Sequence, residues 1–181
     1  MRRYHTLQRL LFLVLVPLIG STVAAQRSIG TFDQESDVGK LSRAGSTSYD
    51  ARREAYLIAG SGQNMWGDHD DFHFVWTRLT GNFVLSTRAR FLGVGVEEHR
   101  KIGWTIRPTL DPNGIHVTAA LHGNGLASLQ FRRGAGAMTE EVKSPDSLPP
   151  AADAVIQLER RDGVYRMSIA RFGDTDRKSV V

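Results

Sequence analysis

IHVTAALHGNGLASLQFR, residues 115–132, decides the fold. Two runs of alternating character, 115–121 and 126–132, flank Gly123-Asn124-Gly125. Successive residues of a strand point to opposite faces, and a glycine-rich break between two such runs marks a hairpin. The alternation puts Ile115, Val117, Leu121, Leu129 and Phe131 on an apolar core face. It puts His116, Thr118, His122, Ser128, Gln130 and Arg132 on a polar face.

The same grammar extends outward in both directions. Runs at 54–59 (EAYLIA), 71–79, 83–91, 101–109, 138–143, 154–160 and 164–171 read as further strands. Thr80-Gly81-Asn82, Asp111-Pro112-Asn113-Gly114 and Asp162-Gly163 separate neighbouring runs as turns. The stretch 144–153 holds three of the six prolines and reads as a surface loop. Many short strands with frequent turns predict an all-β, antiparallel sandwich of jelly-roll type. Its expected core faces add Phe72, Phe74 and Trp76, then Phe83, Leu85 and Phe91, then Ile102, Trp104 and Ile106. The opposite sides offer His73, then Ser86, Arg88 and Arg90, then Lys101, Thr105 and Arg107. On a curved sheet these would share one concave surface with the polar side of 115–132. Guanidinium, imidazole and amide groups make directed hydrogen bonds suited to sugar hydroxyls and carboxylates. The same alternation is also what an ordinary solvated sheet face shows.

Residues 1–25 have the layout of a secretory signal peptide: Arg2, Arg3 and Arg9, an apolar run at 10–19, and Val23-Ala24-Ala25 before the expected cut. The apolar run is well short of the ~20 residues a membrane span needs. The expected mature domain is 26–181, exported to the periplasm or beyond, with no membrane span. Setting the three leader arginines aside leaves 20 Lys and Arg against 19 acids. The near balance argues against nucleic acid as a partner. With no cysteine in the chain, an exported domain must stand on its hydrophobic core.

NMWGDHDDFHFVW, residues 64–76, is the densest chemical stretch. His69 and His73 lie four apart in a strand-like segment, a span of about 13 Å, too far to share one ion. Asp68, Asp70 and Asp71, with Asn64, are candidate calcium ligands, although the glycine and glutamate of an EF-hand loop are missing. Paired catalytic carboxylates are poorly represented. Glu97-Glu98 and Glu140-Glu141 are adjacent in sequence, so their members diverge on a strand. The 35–40 stretch (ESDVGK) has a lysine where a concanavalin-like glucanase carries its third acid. The simpler reading is a loop closed by Trp66 and Gly67, with the acids capping it and Trp66 offered as a sugar-stacking platform. No catalytic residue, metal site or resident cofactor is therefore assigned, and a glycoside hydrolase is the weakest of the functions considered.

The runs 64–91, 99–111 and 117–132 together resemble a bacterial concanavalin-like, laminin-G-like jelly-roll domain. It is similar to the type found at the N-terminus of exported proteins that continue into a Tol-type β-propeller. The resemblance implies ligand contacts at Arg107, Gln130 and Arg132, which the alternation places on the polar face. It also implies a strand beyond 164–171, which the tail 173–181 does not obviously supply, so the domain is expected to lack its last strand. The candidate ligand-binding set is Arg107, Gln130, Arg132, His122, His73, Arg88 and Trp66. The expected role is a non-catalytic module for a glycan or another polar extended ligand. The alternative is a domain that packs on a Tol-type propeller or an envelope partner.

Overall fold

The computed structural model describes residues 29–95, 97–175 and 178–180, the last three by their backbone alone. The expected leader therefore lies outside the described residues. All regular structure among them is β. In chain order the strands are β1 (Gln34–Val38), β2 (Ser46–Asp50), β3 (Ala55–Ala59), β4 (Met65–Trp66), β5 (His69–Asp70), β6 (Phe72–Trp76) and β7 (Phe83–Ala89). Then follow β8 (Lys101–Ile106), β9 (His116–His122), β10 (Ala127–Arg132), β11 (Glu140–Lys143), β12 (Ala154–Arg161), β13 (Val164–Arg171) and β14 (Lys178–Val180).

Two four-stranded antiparallel sheets dominate, ordered β11-β10-β9-β8 and β14-β13-β12-β7. They meet over one hydrophobic cluster. The first sheet supplies Ala119, Leu121, Ala127 and Leu129, and the second Ala154, Ile156, Leu158, Met167 and Ile169. Ile102, Trp104 and Ile106 pack against it, and Trp104 donates its indole N–H to the Ile156 carbonyl at 3.1 Å. Each fully buried aliphatic side chain contributes about 1.5–3 kcal/mol, so this seam is what holds the two layers together. The β9–β10 turn is fixed by Gly125, whose φ is +91°. A Cβ there would stand 1.8 Å from the Leu148 carbonyl oxygen, so no other residue fits.

The expected strands at 54–59, 83–91, 101–109, 115–121, 126–132, 138–143, 154–160 and 164–171 each coincide with a strand of the structure to within a few residues at their ends. Four details differ. The run at 71–79 ends at Trp76 and pairs with β1, outside both large sheets. Ile115, expected in the core, precedes β9 and is 44% exposed. β1 and β2 read QESDV and STSYD, too polar to signal strands; they are held by pairing with β6 and β3. Finally, the tail adds β14 beside β13, with Ile169 opposite Lys178 and Met167 opposite Val180, where no strand was expected.

Candidate functional site

The register of the first sheet builds one polar face, turned away from the shared core. Lys101 stands opposite His122 and Thr105 opposite Thr118. Gln130 faces Thr118, and Arg132 faces His116. β11 adds Glu141 opposite Gln130 and Lys143 opposite Ser128. The alternation in 115–132 anticipates this face, apart from the contribution of β11.

At its lower end the face is closed. The β4–β5 hairpin turns at Gly67 (φ +69°) and lays Asp70, fully buried, over the sheet. Arg132 grips that carboxylate with both terminal nitrogens, at 2.9 and 3.0 Å. The same guanidinium donates to the carbonyls of Ala137, Gly114, Pro112 and Gly67 and to Thr139 Oγ1. Arg107 adds a bond to Asp70 at 3.3 Å and donates to the carbonyls of Thr109 and Asp111, with its guanidinium carbon 5.1 Å from the Phe72 ring centre. His116 bonds Thr118 at 3.0 Å, and Thr118 bonds Thr105 at 2.8 Å. The one unpartnered buried atom here is His116 Nε2, 3.9 Å from Asp70. Burial depresses the His116 pKa to about 4 against the pull of Asp70, so the ring is neutral at pH 7.

At its upper end the face is not closed in this way. Gln130 Nε2 donates to Glu141 at 3.0 Å and lies 3.2 Å from Ser128 Oγ and 3.3 Å from His122 Nε2. Burial pushes Glu141 up, but bonds from Gln130 and Ser128 and the nearby Lys143 charge leave its pKa below the ordinary value, so it is ionised. An ionised acceptor fixes the amide: the nitrogen, not the oxygen, must face Glu141. The His122 pKa is also depressed to about 4, by burial and then by Lys101. Its ring is neutral, with one nitrogen donating and the other accepting. Two buried atoms are left without partners: His122 Nδ1 and the acceptor Gln130 Oε1. An unmet buried polar group costs about 1–3 kcal/mol, so a pair in one spot calls for an explanation. Around them stand long or exposed side chains. His99 meets the His122 ring edge-on at 5.7 Å, and Lys101 lies 5.9 Å from the centre of the Trp66 ring, which is 41% exposed.

The seven candidate residues therefore separate into four places. Gln130 and His122 form the upper end with Trp66 at its rim. Arg107 and Arg132 are committed to Asp70 in the lower end. His73 is elsewhere: its Nδ1 meets Asp37 at 2.7 Å and its Nε2 meets Thr47 at 2.9 Å and Glu35 at 3.3 Å, tying β6 to β1 and β2. Arg88 belongs to the second sheet, where it pairs with Asp153 and covers the Phe172 ring at 3.8 Å. The single concave surface expected from 73, 88, 107 and 130 does not form, because β6 and β7 join different sheets. The three aspartates also part company. Asp68 bonds His69, Asp70 takes the arginines, and Asp71 accepts from the Lys40 N–H. Asp70, expected as a loop cap, is instead the buried anchor of the face. Ser128 and Lys101 were placed on the polar face but not in the ligand-binding set, and Glu141 and His99 were missed; the pairing of β10 with β11 was the signal needed for Glu141.

Comparison with protein-family models, with curated proteins and with solved structures returns no match for this chain.

Proposed function

We propose that the chain is an exported, non-catalytic binding module that takes a hydroxyl-rich extended ligand, a glycan, at the upper end of the polar face. The observation that carries this reading is the pair of unpartnered buried atoms, His122 Nδ1 and Gln130 Oε1. The amide oxygen accepts, a neutral imidazole nitrogen donates or accepts according to its tautomer, and a hydroxyl group can meet either. His99 meets the His122 ring edge-on at 5.7 Å, and its rotation would open that side of the pair to a ligand. Trp66 supplies a flat, half-exposed ring at the rim for a sugar to stack on. The two facing sheets fit the concanavalin-like jelly roll that the sequence resembles, and the leader-like segment 1–25 supports export. Arg107 and Arg132 act by holding the face in shape and do not touch the ligand.

The test is affinity electrophoresis through gels carrying neutral and acidic polysaccharides. The wild-type domain is retarded by at least one of them, and Gln130→Leu is not, although it still unfolds cooperatively in urea. Equal mobility in every gel, or equal retardation of the variant, would overturn the reading.

A further inference from the structure

A cleft of about 370 Å³ opens beside the upper end, and its walls include Glu98, Arg100, Gly123, Asn124, Pro150 and Ala151. Small-ligand sites run from about 300 to 1,000 Å³. Gly123 and Asn124 directly follow His122, and His99, which meets the His122 ring, stands between Glu98 and Arg100. The cleft and the unpartnered pair are therefore neighbours. Arg100 lies with its guanidinium carbon 4.7 Å from the centre of the Phe91 ring. It fits there because two neighbours lack a side chain: a Cβ on Gly95 would stand 1.1 Å from its Nη1, and one on Gly123 2.9 Å from its Nε. The residue is part-buried, with Nε fully so, yet among the described residues its side chain has no hydrogen-bond acceptor and no ion-pair partner. The ring steadies the cation but leaves its N–H groups without an oxygen. Two carboxylates close by in the chain turn elsewhere. Glu97 Oε1 accepts the His99 N–H at 3.0 Å, and Glu98 Oε1 meets His99 Nε2 at 3.5 Å. A fork of N–H donors held in a cleft with no acceptor is matched by an anion.

We infer that this cleft captures a carboxylate on Arg100, and that the ligand of the polar face is an acidic sugar, a uronate. A planar carboxylate matches the guanidinium fork with two parallel bonds. Glu97 and Glu98 on the same wall favour a single negative charge over a dianion such as phosphate. That the carboxylate belongs to a sugar rests on the function proposed above; its capture by Arg100 does not.

The experiment follows the isotope-labelled protein by NMR while sodium galacturonate, and separately galactose, is added. The Nε–H signal of Arg100 and the backbone N–H signals of Gly123 and Asn124 are expected to shift saturably with galacturonate and not with galactose. Arg88, held by Asp153 on the second sheet, is the internal control whose signal stays still. Arg100→Lys keeps the charge and the stem but not the fork. Read from Gly123 and Asn124, it is expected to bind galacturonate about tenfold more weakly, the worth of a charge-assisted hydrogen bond. No saturable shift, an equal shift with galactose, an Arg88 signal that moves as much as that of Arg100, or equal affinity in Arg100→Lys would overturn the inference. Galacturonate is small enough to bind without the upper end. Its capture by Arg100 with no polysaccharide retarded would sink the glycan reading and leave the carboxylate site standing. Retardation by a neutral polysaccharide with no galacturonate shift would sink this inference alone.

Discussion

The two ends of the polar face lie on the same four strands and use the same kinds of residue, yet they have opposite characters. At the lower end a hairpin from 65–70 delivers a carboxylate and backbone carbonyls to two arginines, and almost every polar atom is met. At the upper end the same hairpin reaches only the rim, where Met65 and Trp66 meet Lys101, and a histidine and a glutamine keep one unmet atom each. A polar sheet face is therefore not a binding surface by virtue of its residue types. What the neighbouring loops bring to it decides which part is scaffold and which part is free to take a ligand.

The largest effect should come from opening the closed end. Asp70→Ala leaves two buried guanidinium groups without their counter-charge, and breaking such a pair typically costs about 3–5 kcal/mol. Urea unfolding is expected to shift by that amount, and a loss under ~1 kcal/mol would mean that the lower end is not the anchor described. Acid should act on both ends together. His116 and His122 have folded pKa values near 4, below the ordinary 6.5. Between those values the unfolded chain binds protons that the folded chain does not. Stability is therefore full above about pH 6.5, falls through the window, and levels off for these two groups below about pH 4. A urea midpoint that drops between pH 7 and 4.5, with a shallower drop in His116→Gln plus His122→Gln, is the expected outcome. The comparison is sharpened at the other extreme by Arg88→Ala. Its side chain is half exposed on the second sheet and pairs with Asp153 there. Stability should change by no more than about 0.5 kcal/mol and polysaccharide retardation not at all.

Much of this was legible in residues 115–132, because alternation alone separates Val117, Leu121 and Leu129 from His122, Gln130 and Arg132. Alternation assigns a face within one strand, however, and says nothing of which strands share a sheet. That is why His73 and Arg88 were grouped with Gln130, though pairing sends β6 to β1 and β7 to β12. It is also blind to loop-borne partners. Asp70 looked like a solvated cap because its acidic neighbours suggested a wet turn. Its burial depends on two arginines, 37 and 62 positions away.

The most direct test sets Thr139→Val beside Gln130→Leu on a polysaccharide that retards the wild type. Thr139 Oγ1 bonds Arg132 at 3.2 Å and the Gly67 carbonyl at 2.9 Å, so it belongs wholly to the closed end. Thr139→Val is predicted to unfold at lower urea, by about 1 kcal/mol, and to be retarded like the wild type. Gln130→Leu is predicted to stay folded at a cost of about 1–3 kcal/mol, since Glu141 loses a donor, and to lose retardation. Retention by Gln130→Leu together with loss in a folded Thr139→Val would place the ligand at the closed end and contradict the account.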